Sequence, residues 1–205
     1  MMINSIDASS FDSGTAYIAG TRYKLGDFTP YLYVTDDYGK NWKLITDGIK
    51  DEHFTRVLRS DKVNKNILYA GTETGMYISY DRGNSWNEFQ KNLPIVPITD
   101  LTIKDNSLIV ATQGRSIWMI DDLTVFHQLT PSTDQIKLYK PKDSYRMGGA
   151  GGRKSLTAGT NLPNGAIIHY FIPNYSKEND QVSLSIHSSD GTLIRNFQTR
   201  VKRIY

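Results

Sequence analysis

The 205 residues contain no cysteine, so neither a disulfide framework nor a thiolate metal or nucleophile site can be built from them. No run of about 18 apolar residues is present, which excludes a helical membrane span. The amino terminus, Met1 to Asp7, lacks the basic segment and long apolar stretch of a secretory signal. Charge of one sign is missing too. Lys and Arg number 24 against 21 Asp and Glu, and a net charge of +3 scattered along the chain argues against nucleic acid. The four histidines, His53, His127, His169 and His187, have no ligand spacing, and no D-x-D-x-D-G run occurs. No metal and no cofactor is therefore expected. Tyrosine is abundant: 13 Tyr with 7 Phe and 3 Trp bring the aromatic share to 11%, mostly in short alternating runs that favour strands.

An internal repeat organises the first part of the chain. Thr35-Asp36-Asp37-Tyr38-Gly39-Lys40-Asn41-Trp42 and Ser79-Tyr80-Asp81-Arg82-Gly83-Asn84-Ser85-Trp86 share the pattern [ST]-x-D-x-G-x-[NS]-W and lie 44 residues apart. Ala16 to Thr21 answers Ile67 to Thr72 upstream of the boxes, and Leu108 to Thr112 is a third copy of that strand. Each unit parses as four short strands, the blade of a β-propeller. In the middle unit the strands are expected at Thr55–Arg59, Ile67–Gly71, Met76–Tyr80 and Trp86–Phe89. The first unit carries a longer link, Arg22 to Thr29. The third keeps strands at Ile98–Ile103, Ser107–Thr112 and Ser116–Ile120 but puts Asp121-Asp122-Leu123 where the box would be, as terminal repeats often do.

The boxed turn reads as a folding device. Asp37 and Asp81 can accept backbone N–H groups of their own turn, Thr35 and Ser79 add a hydroxyl, Gly39 and Gly83 permit positive φ, and Trp42 and Trp86 are expected to bury a ring between strands. Three blades do not close, because propellers need about four to eight, so the expectation is a longer array or assembly with other copies.

Beyond Asp122 the pattern changes, and the boundary is set near residue 130: blades over 1–130, a second domain over 131–205. Gly148-Gly149-Ala150-Gly151-Gly152 lacks phosphate-loop spacing and is read as a mobile loop. A short strand at Ile136–Tyr139, a buried-type strand at Ala166–Ile172, and a hairpin of Val182–His187 with Thr192–Phe197 around Ser188-Ser189-Asp190-Gly191 read as the start of an antiparallel β-sandwich of immunoglobulin or fibronectin III character. The fold class is all-β: a partial propeller of about three four-stranded blades, then an incomplete sandwich.

The two boxed turns resemble the Asp-box, or BNR, motif. Gly71 to Ser79, Asn92 to Leu101, Ala111 to Leu123 and Asn161 to Ala166 together resemble the last blades and following sandwich of large bacterial proteins of the sortilin-like, glycosyl-hydrolase-like family. The resemblance implies an extracellular or periplasmic setting, further blades of a full-length protein as partners, and either binding or glycan hydrolysis. A sialidase activity is not implied, since the Arg-Ile-Pro segment is missing. A glycosidase needs two carboxylates about 5 to 9.5 Å apart, and the sequence offers no means of pairing two. Asp27, Asp36, Asp51, Glu52, Glu73, Asp100 and Asp121 read as turn or cap residues.

Propeller ligands meet the loops joining strand two to three and strand four to the next blade. On this parse those loops bring Arg22, Tyr23, Glu73, Gln113 and Arg115 to one end, joined by His53, with Arg115 the leading candidate and Trp118 assigned to core. The leading functional expectation is a non-catalytic scaffold for a protein, peptide or glycan ligand. The alternative is a glycoside hydrolase whose catalytic carboxylates lie partly in other blades.

Overall fold

The computed structural model describes residues 1–129, 134–145, 165–176 and 180–198. It forms two compact units, Met1–Pro131 with Tyr139–His169, and Ser132–Leu138 with Tyr170–Tyr205. The Gly148–Gly152 loop and the Pro131–Thr133 part of the expected boundary lie outside the described residues.

In the first unit, the first blade is a four-stranded antiparallel sheet in the order β1 (Met2–Ala8), β2 (Ala16–Arg22), β3 (Asp27–Thr35), β4 (Lys43–Leu44). The second repeats it with β5 (Thr55–Ser60), β6 (Leu68–Thr72), β7 (Gly75–Ser79) and β8 (Asn87–Glu88). The third has β9 (Ile98–Lys104), β10 (Ser107–Thr112) and β11 (Ile117–Ile120). No fourth strand joins it among the described residues, and a 3-10 turn at Phe126–Gln128 follows instead.

Alternation along the strands of the second blade sorts its side chains into two cores. Leu58, Leu68, Ala70, Tyr77 and Trp86 pack with Tyr17, Ala19, Leu32, Val34, Ile45 and Ile49 of the first blade. Val57, Ile67, Tyr69, Met76, Ile78 and Phe89 pack with Ile98, Leu101, Leu108 and Val110 of the third. Both faces of the middle blade are thus dry, and every residue of β6 and β7 is buried. These are stacked propeller blades, with both faces of the middle sheet covered by its neighbours.

The boxed turns have one geometry in two copies. Thr35 Oγ1 donates to Asp37 Oδ1 at 2.8 Å and accepts the Gly39 N–H at 2.9 Å; Ser79 Oγ does the same with Asp81 and Gly83, both at 2.8 Å. The Asn41 N–H reaches Asp37 Oδ1 at 2.9 Å, and the Ser85 N–H reaches Asp81 Oδ1 at 2.8 Å. Tyr38-Gly39 and Arg82-Gly83 all adopt positive φ, so two consecutive left-handed residues turn each corner. These hydrogen bonds hold the Asp37 carboxyl below its ordinary value, the Asn41 backbone N–H foremost.

The tryptophans correct the sequence reading. Trp86 is 4% exposed and its Nε1–H donates to the Ile45 carbonyl of the first blade at 2.8 Å, whereas Trp42 is 41% exposed. The ring is buried between blades, not between strands of its own blade. The first link is also shorter than expected. Tyr23–Leu25 form a 3-10 turn closed by Gly26, and β3 extends back to Asp27 opposite Arg22.

The second unit contains β12 (Lys137–Leu138) paired with β13 (Tyr170–Phe171), and β14 (Ser183–His187) paired with β15 (Leu193–Gln198). The last pair is the expected hairpin, with Ile186 opposite Arg195. The buried-type strand at Ala166–Ile172 shrinks to the two residues of β13, both exposed. Tyr170 and Ile172 face Val182, Leu184 and Phe197 across an open recess of about 340 Å³, so the apolar run is not packed dry.

Candidate functional site

The β6–β7 hairpin, the β4–β5 link and the β8–β9 link meet at one end of the second blade, because Thr55 at the start of β5 pairs with Thr72 at the end of β6. A recess of about 320 Å³ opens there, lined by Lys50, His53, Thr74, Met76, Tyr77, Glu88, Gln90 and Ile95.

His53 and Tyr77 form its polar wall. His53 Nδ1 and the Tyr77 hydroxyl are 2.8 Å apart, with the rings edge to face. The Lys50 backbone N–H donates to the same hydroxyl at 3.4 Å. Burial raises the Tyr77 pKa, so the phenol stays protonated and can donate to Nδ1, which leaves Nε2–H of a neutral His53 for a ligand. Burial, and next the Lys50 charge, push the His53 pKa below 6.5, so the ring is neutral at pH 7. Lys50 forms an ion pair with Glu88, which lowers the Glu88 pKa and raises that of Lys50. Gln90 is fully engaged in the framework: Oε1 accepts the Met76 N–H at 3.2 Å, and Nε2 donates to the Leu93 and Pro94 carbonyls, each at 2.8 Å. Met76 and Ile95 supply the apolar part of the lining.

Of the residues expected at the ligand-facing end, His53 lines this recess and Glu73 sits beside Thr74 at its edge. Glu73 is tied to Arg56 by a salt bridge, and the Arg56 guanidinium lies 5.4 Å from the Phe54 ring centre. Tyr23 stacks on the same ring, centroids 5.2 Å apart and planes 15° from parallel. Tyr23 and Glu73 are therefore gathered around Phe54 and Arg56. Arg22 stands apart, paired with Asp27 at 3.2 Å, and with Tyr23 lines a smaller depression of about 190 Å³. Gln113 and Arg115 belong to the third blade's own hairpin. The Gln113 N–H donates to the Pro97 carbonyl, and the Arg115 guanidinium donates to the adjacent Gly114 carbonyl. Trp118 packs partly buried against the second core, its Nε1–H donating to the Arg115 carbonyl at 2.7 Å.

Lys50, Tyr77 and Glu88 escaped the sequence reading. One signal was there: superposing the repeats puts Glu88 where the first blade has Leu44, a carboxylate at an otherwise apolar position. Tyr77 was hidden by the alternation that marked it as core. No group of three or more His, Asp or Glu positioned to hold a metal occurs among the described residues.

Comparison with known proteins adds the following. No curated protein matches the chain. Among solved structures, YCF48 bound to D1 peptide aligns at 18% identity over 58% of this chain and 36% of that one, with a TM-score of 0.41. The GH74 enzyme of Niastella koreensis aligns at 12% identity over 69% of this chain and 24% of its own, TM-score 0.47. The GH74 xyloglucanase of Xanthomonas campestris aligns at 13% over 69% and 25%, TM-score 0.41. The chain thus spans between about a quarter and a third of the length of these structures. The family model described as Sortilin-Vps10 (sortilin, neurotensin receptor 3) matches residues 31–161, more than half of the chain, from the third strand of the first blade through the whole of the other two. With its boxed turns and stacked blades, the chain belongs to the Sortilin-Vps10 family.

Proposed function

We propose that the chain is a non-catalytic binding scaffold that takes a protein, peptide or glycan segment at the recess of the second blade, in an extracellular or periplasmic setting. The observation that carries this reading is the state of the recess carboxylate. Glu88, the acid in its lining, is bound to Lys50 and held in its charged form, whereas a glycosidic acid must keep its proton near neutral pH. Every described carboxylate whose pKa departs from the ordinary value is shifted the same way: Asp27, Asp37, Asp61, Asp81, Glu88 and Asp190 are all lowered. What the recess offers is recognition: an N–H at His53, a hydroxyl at Thr74, the Lys50–Glu88 ion pair and the apolar side chains of Met76 and Ile95. That mixture suits a segment with both polar and apolar surface.

The test is a binding screen of the chain against a panel of peptides and β-glucan oligosaccharides, followed by the double variant Lys50→Ala/His53→Ala on any hit. A tenfold or greater rise in Kd without product formation is expected, and Arg115→Ala separates a contribution of the third blade's hairpin. Hydrolysis of an oligosaccharide that is abolished by Glu88→Gln would overturn the reading in favour of a glycoside hydrolase.

A further inference from the structure

The Tyr77 hydroxyl stands in the wall of the second-blade recess, and its surroundings fix where its proton goes. Tyr77 is 1% exposed and belongs to the core shared with the first blade, which also holds Ile49, the residue before Lys50. The link then turns through Glu52, at φ 67°, and closes with the His53 N–H on the Lys50 carbonyl at 3.2 Å. This turn brings two groups onto one phenol oxygen: the Lys50 backbone N–H at 3.4 Å and His53 Nδ1 at 2.8 Å. The first is always a donor. If Nδ1 carried a hydrogen as well, the oxygen would face two donors, and its own proton would be left without an acceptor in a buried place. Elsewhere among the described residues every buried side-chain nitrogen and oxygen has a partner. The phenol therefore donates to Nδ1, and the ring hydrogen sits on Nε2, which has no partner among the described residues.

The other polar groups of the lining are engaged or can turn either way. Gln90 Oε1 already accepts the Met76 N–H, and Glu88 is held by Lys50. Thr72 donates to the Gly75 carbonyl at 2.9 Å, so the Thr74 hydroxyl, 3.4 Å from that of Thr72, is free to donate to it or to turn outward. His53 thus contributes a fixed donor, set beside a charge pair that sums to zero and the apolar Met76 and Ile95. An amide carbonyl answers such a donor as an acceptor alone. A sugar hydroxyl presents acceptor and donor together and leaves its hydrogen against apolar lining.

We propose that Tyr77 is the positioning residue of this recess: it locks His53 as the Nε2–H tautomer, and the recess thereby selects a peptide segment by an uncharged backbone carbonyl next to an apolar side chain. The selection rests on the recess being the binding site; the lock does not, and is read without a ligand.

The test is proton–nitrogen correlation NMR of the histidine rings of the full chain at about pH 8, where the His53 ring is neutral. His53→Gln assigns the ring by loss of its signals. The wild type is expected to show Nε2 protonated and Nδ1 unprotonated. Lys50→Ala keeps the backbone N–H and should leave this pattern, whereas Tyr77→Phe, with unchanged far-ultraviolet circular dichroism, should give a mixture of both tautomers. Nδ1 protonated in the wild type, or a folded Tyr77→Phe with the wild-type spectrum, overturns the lock; should Tyr77→Phe not fold, the wild-type tautomer decides. The His53 Nε2 signal is then followed against N-acetyl-leucine methylamide, 3-methylbutylammonium and methyl β-glucoside. The amide is expected to move it most, with a shift that falls about twofold or more in Tyr77→Phe. A larger shift with the ammonium overturns selection for an acceptor, and a glucoside shift as large as the amide's overturns the peptide in favour of a glycan. A locked tautomer that no probe moves overturns the selection together with the recess as binding site.

Discussion

At the scale of single residues, the two tryptophans show how identical local chemistry acquires different energetic weight. Trp42 and Trp86 follow the same turn, but only Trp86 has a blade to enter and a carbonyl to bond. Trp86→Ala is expected to cost about 3–5 kcal/mol of unfolding free energy, in line with truncation of a buried aromatic. Trp42→Ala, measured by urea denaturation, should stay within about 0.5 kcal/mol. The pattern [ST]-x-D-x-G-x-[NS]-W made both turns legible, because the hydrogen bonds that close them are contained within eight residues. It could not say which ring is buried, since burial depends on a neighbour 41 positions away in the bond from Trp86 to Ile45. His53 gives a second residue-scale test. With burial and Lys50 both disfavouring the imidazolium, its midpoint in an NMR titration is expected below 6.5, and Lys50→Ala should move it upward. The sign follows: the folded state favours the neutral ring, so this contribution to stability is complete above about pH 6.5 and fades as pH falls through the lower folded value.

At the scale of elements, strands with tight links were easiest to place. The expected spans of the middle and third blades agree with β5 to β7 and β9 to β11 to within a residue or two at their ends. Their ladders are set by local alternation and short turns. The β13 region failed because seven residues rich in Ile, Tyr and Phe look buried by composition, whereas burial needs a second layer in close contact, and here a recess separates Tyr170 and Ile172 from Leu184 and Phe197. The recess was only half legible for a related reason: His53 and Glu73 could be placed from loop order, but Lys50, Tyr77 and Glu88 meet through packing of one blade's edge on another's link. Elements also predict unequal tolerance at equivalent glycines. Gly39 and Gly83 both need positive φ, so alanine strains each backbone, but only at Gly83 does the new methyl strike Ile45. Gly83→Ala is expected to lose about 1–3 kcal/mol more than Gly39→Ala, read as the difference in denaturation midpoints multiplied by a common m-value.

At the scale of the whole molecule, what joins the blades is mostly apolar, with a few buried polar ties, one of them at Asp61. Asp61 is completely buried at the end of β5, where it accepts the Val63 and Asn64 N–H groups at 2.7 and 2.8 Å. It also faces His127, which follows the third blade, at 3.0 Å. Burial alone would raise its pKa, but the hydrogen bonds from His127, Asn64 and Val63 outweigh it and hold the carboxyl below 3.8. The unfolded chain therefore takes up the proton more readily than the folded one. This tie stabilises the fold fully above the ordinary carboxylate value and is lost as pH drops through the lower folded value. Acid titration of circular dichroism should show that decline, with a shallower slope in Asp61→Asn. His127 matters for chain integrity as well. The backbone leaves the third blade at Ile120, yet the imidazole that meets Asp61 arrives seven residues later. A protease that clips between Leu123 and Phe126 would cut no strand of the three blades, but would detach His127 from the carboxylate it meets in the next blade upstream in the chain. Limited digestion at that site should loosen the middle of the array before its end.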